Sequence, residues 1–453
     1  MIRGDLTSLA RILSATLVGP DLGFVGVSTD SRALRERELF VALRGPNFDG
    51  HEFLPAAAER GAAAAVVERS TDTALPLLHV ADSLAALGAM AAEWRSRFTL
   101  PVIAVTGSFG KTTVKEMMAA IAATRGEVLA TRGNLNNEIG LPLTLFGLDE
   151  RHRAAVLEMG ANHAGEIARL VAIGRPSVGV VTAAGPVHLE GFGSLEGVAR
   201  GKGEMFAGLP DDGTAIINVD DPFAPLWREL AGARRCVGFG LAAEAEFRAE
   251  QVRQSLDAAG PLLEFRLVTP DGAADVRLAL PGRHNAVNAL AAAAATWAAG
   301  WSVDEIVAGL ARVSGVKGRM SLRKASSGAL IIDDSYNANP TALRAAIDYA
   351  TALPGETWLV LGDMRELGDA SPEMHAAAGE YARQHGVARL YALGPESAAA
   401  VAAFGAGQHF DDAAALAAAI AAELPAGVNL LVKGSRSMRL ETVIERLVQE
   451  EAR

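Results

Sequence analysis

One short stretch carries the groups that could bind phosphate. Residues Pro101 to Met117 read PVIAVTGSFGKTTVKEM. Val102 to Val105 form an apolar run, and Thr106-Gly107-Ser108-Phe109-Gly110 breaks it. Lys111-Thr112-Thr113 then opens a segment of helical character. That succession is strand, glycine loop and helix N-terminus. Glycines let backbone N–H groups turn inward, and a helix start adds unpaired donors and the positive end of its dipole. Lys111 supplies a mobile cation for outer phosphates, and a hydroxyl at Thr112 or Thr113 can hold Mg²⁺. Two residues separate the glycines instead of the four of a standard P-loop, so the stretch is a variant nucleotide-phosphate loop. The plain alternative is a helix start with a threonine cap.

Further candidates lie at the ends of apolar runs. Glu158 ends such a run, where a Mg²⁺ partner sits in nucleoside triphosphatases, although a capping or salt-bridged glutamate fits the same place. His188 follows another run in GPVHLEG, and a lone histidine is more often structural than a ligand. Lys202 sits in the helix-like SLEGVARGKGEM, where a solvated lysine is the simpler reading. Arg319, at a hinge, could reach a γ-phosphate with its fork of donors. Asp333 and Asp334 end a strand, where acids hold ribose hydroxyls or metal. Asn134, Asn136 and Asn137 crowd into GNLNNEIG, a composition that favours turns; Asn136 and Asn137 also stand as substrate-binding candidates.

The elements that must position these groups fall into three units. Residues 1–81 are a small N-terminal α/β domain. Its helix is expected over Leu6–Leu13, with strands near Gly23–Ser28, Glu38–Ala42 and Ala62–Val67 and a helix over Phe53–Gly61. Residues 82–314 are a central, P-loop-type sheet domain. A helix over Ser83–Phe98 leads into the loop. Strands follow at Ala154–Glu158, Val178–Val181, Thr214–Asn218 and Arg235–Gly240, with helical stretches between, which implies a mostly parallel sheet. Alternating runs at Phe247–Val252, Leu262–Thr269 and Ala274–Leu280 read as antiparallel, and helices over Asn285–Ala299 and Val303–Arg312 close the unit. Ser314–Arg319 reads as a linker. Residues 315–453 alternate strand and helix as a Rossmann-like doubly wound domain, whose ligands belong beyond the carboxyl ends of its strands. Those ends carry DDSYNAN (333–339), GDM (362–364) and KGSR (433–436).

Composition narrows the function classes. A chain of 453 residues with half its residues apolar supports two or three cores. Its one cysteine, Cys236, excludes a disulfide framework and a cysteine metal site and fits the cytoplasm. Net charge is −11 without a basic block, which argues against nucleic acid as a partner. No apolar run reaches membrane-spanning length, and the N-terminal stretch has no targeting signal.

Taken together, TGSFGKTT (106–113), LEMG (157–160), the His188 segment, KGE (202–204), GRHNAVNA (282–289), GR (318–319) and DDSYNANP (333–340) resemble the Mur ligase family, ATP-dependent amide-forming enzymes of cell-wall precursor synthesis. The match spans nearly the whole chain. TDSR (29–32), GNLNNEIGLPLTL (133–145), HLEGFGS (188–194) and VKGSRSM (432–438) point to the branch acting on UDP-N-acetylmuramoyl-tripeptide and D-alanyl-D-alanine.

The resemblance implies roles. Ser31 and Arg32 would hold the uridine diphosphate. Thr106, Gly107, Ser108, Phe109, Gly110, Lys111, Thr112 and Thr113 would cradle ATP phosphates. Thr112 and Glu158 would hold one Mg²⁺, and His188 and a carbamylated Lys202 would serve a second. Asn285 and Asn288 would contact adenine, Arg319 the γ-phosphate and Asp334 the ribose. Asn337 and Asn339 would lie near the incoming dipeptide or nucleotide. Lys111, Lys202, His188 and Arg319 form the expected catalytic set, on a cytoplasmic monomer. Phe109 departs from the small or amide residue usual before the second glycine, and its ring must point away from the phosphates. Alternatives are a family member adding a single amino acid, a folylpolyglutamate synthetase, against which TDSR argues, and, from another class, a P-loop ATPase switch, for which no partner-reading element is found.

Overall fold

The computed structural model describes residues 1–257, 260–313 and 318–448. Of the expected linker, 314–317 lie outside the described residues; Gly318 and Arg319 lie within them.

Three main sheets carry the fold. The N-terminal sheet has five strands in the order Thr16–Val18, Leu77–His79, Ala64–Val67, Leu39–Val41, Val27–Ser28. All neighbours are parallel except the first pair. The expected strand over Gly23–Ser28 is broken at Gly26, whose N–H turns to the Ile2 carbonyl at 2.8 Å.

The central sheet has nine strands, ordered Glu127–Ala130, His152–Glu158, Val102–Thr106, Val178–Val181, Thr214–Asn218, Arg235–Gly240, Phe247–Asp257, Gly260–Thr269, Gly272–Leu278. It is parallel up to Phe247–Asp257 and antiparallel beyond. Val105 pairs with Glu158 on one side and Val180 on the other, so the phosphate loop and Glu158 leave the same edge of the sheet.

The C-terminal sheet runs Ser321–Lys324, Leu330–Asp334, Val428–Lys433, Glu356–Gly362, Val387–Leu393, Gln408–Phe410, parallel except at its first pair. Its central strands are apolar on both faces. Ile332, Leu359, Leu361 and Leu431 belong to one core, and Ile331, Trp358, Val360 and Leu430 to the other. Helices on each side require that pattern.

The short edge strands Thr16–Val18, Glu127–Ala130, Ser321–Lys324 and Gln408–Phe410 were not expected. The last helix, Glu441–Leu447, begins only after a 3₁₀ turn over Arg436–Met438, because Arg439 adopts a left-handed backbone between them. One apolar core runs without a break from Leu39 and Val66 through Leu87 and Met90 to Val102 and Leu157. The helix Ser83–Ser96 therefore ties the N-terminal sheet to the central one. Among the described residues no helix is long and apolar enough to cross a membrane.

Candidate active site

The site is built on the loop after Val102–Thr106. Helix Lys111–Ala122 follows directly, with Gly110 as its left-handed N-cap (φ +81°). A Cβ there would stand 2.6 Å from Asn288 Oδ1, so only glycine lets the loop close on the helix His284–Ala298. Lys111 Nζ folds back to donate to the Gly107 carbonyl at 2.6 Å. Protein around the Lys111 ammonium lowers its pKa; Glu158 opposes that and Arg319 adds to it.

Phe109 answers the packing question its size raised. Its ring lies over Gly185, where an added Cβ would meet Phe109 Cε1 at 2.5 Å. Ser108 and Gly185 share two hydrogen bonds: Gly185 N donates to Ser108 Oγ at 2.9 Å, and that hydroxyl donates to the Gly185 carbonyl at 3.2 Å. Thr182 Oγ1 donates to the Phe109 carbonyl at 2.5 Å. The phosphate loop is thus fastened to the segment that leads to His188.

Thr112 joins three elements. Its hydroxyl donates to Glu158 Oε2 at 2.8 Å and accepts from Arg319 Nη2 at 2.9 Å. Glu158 is buried, and its other oxygen accepts from Asn136 Nδ2 at 2.8 Å. Thr131 Oγ1 accepts from the Glu158 N–H at 3.0 Å. A buried carboxylate that no cationic side chain among the described residues bonds, beside a hydroxyl, is a hard-oxygen donor set that fits Mg²⁺. Asn137, by contrast, accepts from the N–H groups of Ile139 and Gly140 and builds the turn into helix Gly140–Leu145.

Lys202 is buried on helix Leu195–Ala207, three residues of sequence removed from Glu158 through its partner: Nζ donates to the Ala161 carbonyl at 2.9 Å. Burial, reinforced by the Lys111 cation, pulls its pKa down to about 7. As an amine it does not suit a magnesium site; as a carbamate it would. His188 pairs with Glu366 of the C-terminal unit, Nδ1 to Oε2 at 2.5 Å.

A cavity of about 240 Å³ opens between the central and C-terminal units. Its wall includes Ser108 to Thr113, Asn285, Asn288, Arg319, Asp334, Asn337 and Asn339. Asn285 donates to the Pro281 carbonyl at 2.7 Å and receives Asn288 Nδ2 at 2.9 Å. Asp334 accepts from Lys433 Nζ at 2.5 Å, and Asn339 caps the helix Pro340–Thr351. Thr106 is fully buried beneath the loop. Ser31 and Arg32 lie apart, on the N-terminal unit. Ser31 is buried, while Arg32 is exposed and paired with Asp30, holding that carboxyl down to about 2.

Sequence reasoning assigned no role to Tyr336, Lys433, Gly185 or Glu366, although Tyr336 and Lys433 lie in the strand-end stretches marked for ligands. Arg319 stacks over Tyr336 at 4.5 Å from the ring centre, within cation–π range. A signal existed for Lys433, which ends a strand beside Asp334 in register.

Fold and site define a nucleotide-using α/β enzyme in which a second α/β unit faces the phosphate loop. The comparisons make this specific. The chain matches the Mur ligase family, catalytic domain over residues 24–124, the Mur ligase middle domain over 105–296 and the Mur ligase, glutamate ligase domain over 318–436. A UDP-N-acetylmuramoyl-tripeptide--D-alanyl-D-alanine ligase of Escherichia coli (strain K12) is 44% identical over 450 residues, 99% of both chains. Among solved structures, MurF from Acinetobacter baumannii superposes with a TM-score of 0.93 at 34% identity, covering 98% of each chain. MurF ligase from Thermotoga maritima in complex with ADP gives 0.82 at 30% identity, covering 93% of this chain and 96% of its own. The chain belongs to the Mur ligase family.

Proposed function

We infer that this enzyme is an ATP-dependent ligase that adds D-alanyl-D-alanine to UDP-N-acetylmuramoyl-tripeptide, giving the pentapeptide precursor, ADP and phosphate. The observation that carries the nucleotide chemistry is Thr112 of the phosphate loop, bonded at once to Glu158 and to Arg319 of the facing unit. The full-length likeness to ligases with this acceptor carries the substrates.

A carboxylate does not react with an amine at useful rates, so ATP activates it. A terminal carboxylate oxygen of the tripeptide attacks the γ-phosphorus, the bond to ADP breaks and an acyl phosphate forms. Lys111 and Arg319 supply positive charge to the phosphates, which is where catalysis of phosphoryl transfer is won. Thr112 and Glu158 would hold Mg²⁺, and His188 and Lys202 would serve a second ion; bound, these ions would neutralise phosphate charge. Lys202 takes part as a carbamate, formed when its neutral amine adds to CO₂ and loses a proton. The dipeptide amine then attacks the acyl carbon and phosphate leaves. Acyl phosphates hydrolyse readily, so the C-terminal unit closes over the cavity to exclude water.

In this reading, residues 1–81 bind the UDP part through Ser31 and Arg32, 82–314 bind ATP, and 315–453 close the site. Phosphate-loop residues Thr106 to Thr113 hold the triphosphate, Asn285 and Asn288 meet adenine, and Asp334 exchanges Lys433 for ribose. Asn337 and Asn339 face the incoming dipeptide, and Asn136 acts through Glu158. The enzyme works as a cytoplasmic monomer, which sedimentation at working concentration tests. The deciding experiment is phosphate release from ATP with the UDP-tripeptide, with and without D-alanyl-D-alanine. Release that requires both substrates is expected. Release with a single amino acid instead moves the chain to another branch, and turnover indifferent to both overturns the reading.

A further inference from the structure

Two loops from different units meet at strained residues. His188 has a left-handed backbone (φ +53°), and so does Glu366 (φ +66°). A side chain in that region costs about 1–2 kcal/mol, and such strain persists where surrounding structure enforces it. Here the enforcement is visible. Glu366 closes the loop after strand Glu356–Gly362, and buried groups hold the preceding residues one by one. Asp363 Oδ1 accepts from the Ser397 N–H at 2.8 Å. The Met364 N–H donates to the buried His375 Nε2 at 2.9 Å. The Arg365 N–H donates to Ser435 Oγ at 2.9 Å, and Ser435 N donates to the Asp363 carbonyl at 3.0 Å. The loop is thereby built to present its next side chain outward in one place. That place is His188: Glu366 Oε2 lies 2.5 Å from its Nδ1. A second touch follows, since Gly368 packs beside Glu190, where a Cβ would lie 3.5 Å from Glu190 Cγ.

We propose that Glu366 is a positioning residue for His188: it accepts the Nδ1 proton across the interface, leaving the Nε2 lone pair as the metal-binding atom once the C-terminal unit is seated. A carboxylate behind a ligating imidazole fixes the tautomer and the ring plane. Here it comes from the unit that closes, so closure and completion of the second cation site are one event. This inference rests on the reading of His188 as a metal ligand.

The test uses the full-length Glu366→Ala and Glu366→Gln variants, Mn²⁺ as probe, a non-hydrolysable ATP analogue and the UDP-tripeptide. Mn²⁺ binding is followed by electron paramagnetic resonance, and the His188 tautomer by NMR of isotope-labelled imidazole. Wild type is expected to bind two ions and show His188 protonated at Nδ1. Glu366→Ala should weaken the second ion about tenfold or more, leave the first unchanged and lose the fixed tautomer. Glu366→Gln keeps an acceptor oxygen and should recover most of the binding. A Glu366→Ala protein with wild-type tautomer and both affinities intact overturns the role of Glu366 and leaves the metal reading standing. A wild type that binds one ion only overturns the metal role of His188, and this inference with it.

Discussion

Arg319 Nη2 donates to Thr112 Oγ1 at 2.9 Å, joining residues 207 positions apart across the interdomain cavity. The same guanidinium stacks on Tyr336. The guanidinium is thus held against the glycine loop from the C-terminal side. Arg319→Ala should lower kcat by about a thousandfold, as loss of a transition-state arginine does, while the affinity for the UDP substrate changes little. Arg319→Lys should recover little, because an ammonium has neither the fork nor the flat face. Steady-state kinetics with direct binding of the UDP-tripeptide separates the two effects; a kcat near wild type would sink the assignment.

Phe109 and Gly185 form a matched pair. Gly185→Ala forces a Cβ to within 2.5 Å of the Phe109 ring, so the loop must shift. Overpacking of this kind costs about 1–3 kcal/mol, which reads as roughly a tenfold or greater rise in KM for ATP. Phe109→Ala in the same chain removes the clash and should restore most of the affinity. A double variant no better than Gly185→Ala alone would mean that the ring does not set the loop.

What was legible in the chain follows from how local each cause is. The loop was readable because its glycines, lysine and threonines are consecutive and an apolar strand precedes them. Glu158 was readable because a strand end is a local feature. Gly185 was not, because its partner ring lies 76 positions away and a glycine between strand and turn looks ordinary. Glu366 hid for the same reason, as one acid in a polar turn whose partner belongs to another unit. The antiparallel runs were read from alternation, whereas Ser321–Lys324 and Glu127–Ala130 are short edges whose pairing depends on a neighbour already in place. Asn136 and Asn137 are adjacent and chemically identical, and only the fold separates them.

Lys202 sets a pH dependence that can be measured without substrate. Its pKa of about 7 lies below the ordinary lysine value of 10.5. Below about pH 7 the amine is charged in both folded and unfolded chains, and its burial penalty is fully felt. As pH rises toward 10.5 the unfolded chain also loses the proton, and the penalty disappears. In CO₂-free, metal-free buffer, Lys202→Met should therefore raise Tm most at pH 6 to 7, by roughly a few degrees, and progressively less toward pH 10. A gain that stays constant across that range would place the lysine in a solvated setting. In the wild type with bicarbonate, kcat should fall as pH drops below about 7, because the ammonium cannot add to CO₂.

Asn136 and Asn137 should respond oppositely to the same change. Asn136 Nδ2 holds Glu158 Oε1 at 2.8 Å, so Asn136→Ala leaves that buried carboxylate free to turn. Supporting groups of this kind are worth about tenfold in metal affinity, so the Mg²⁺ needed for half-maximal rate should rise by about that factor with Tm nearly unchanged. Asn137 Oδ1 instead satisfies the N–H groups of Ile139 and Gly140. Asn137→Ala removes both of these turn bonds, costs about 1 kcal/mol of stability and should lower Tm by a few degrees while the Mg²⁺ requirement stays put. The discriminating measurement is a Mg²⁺ titration of initial rate beside a thermal melt for each variant. If Asn137→Ala moves the KM for the UDP substrate and not Tm, its side chain binds substrate and the turn stands without it.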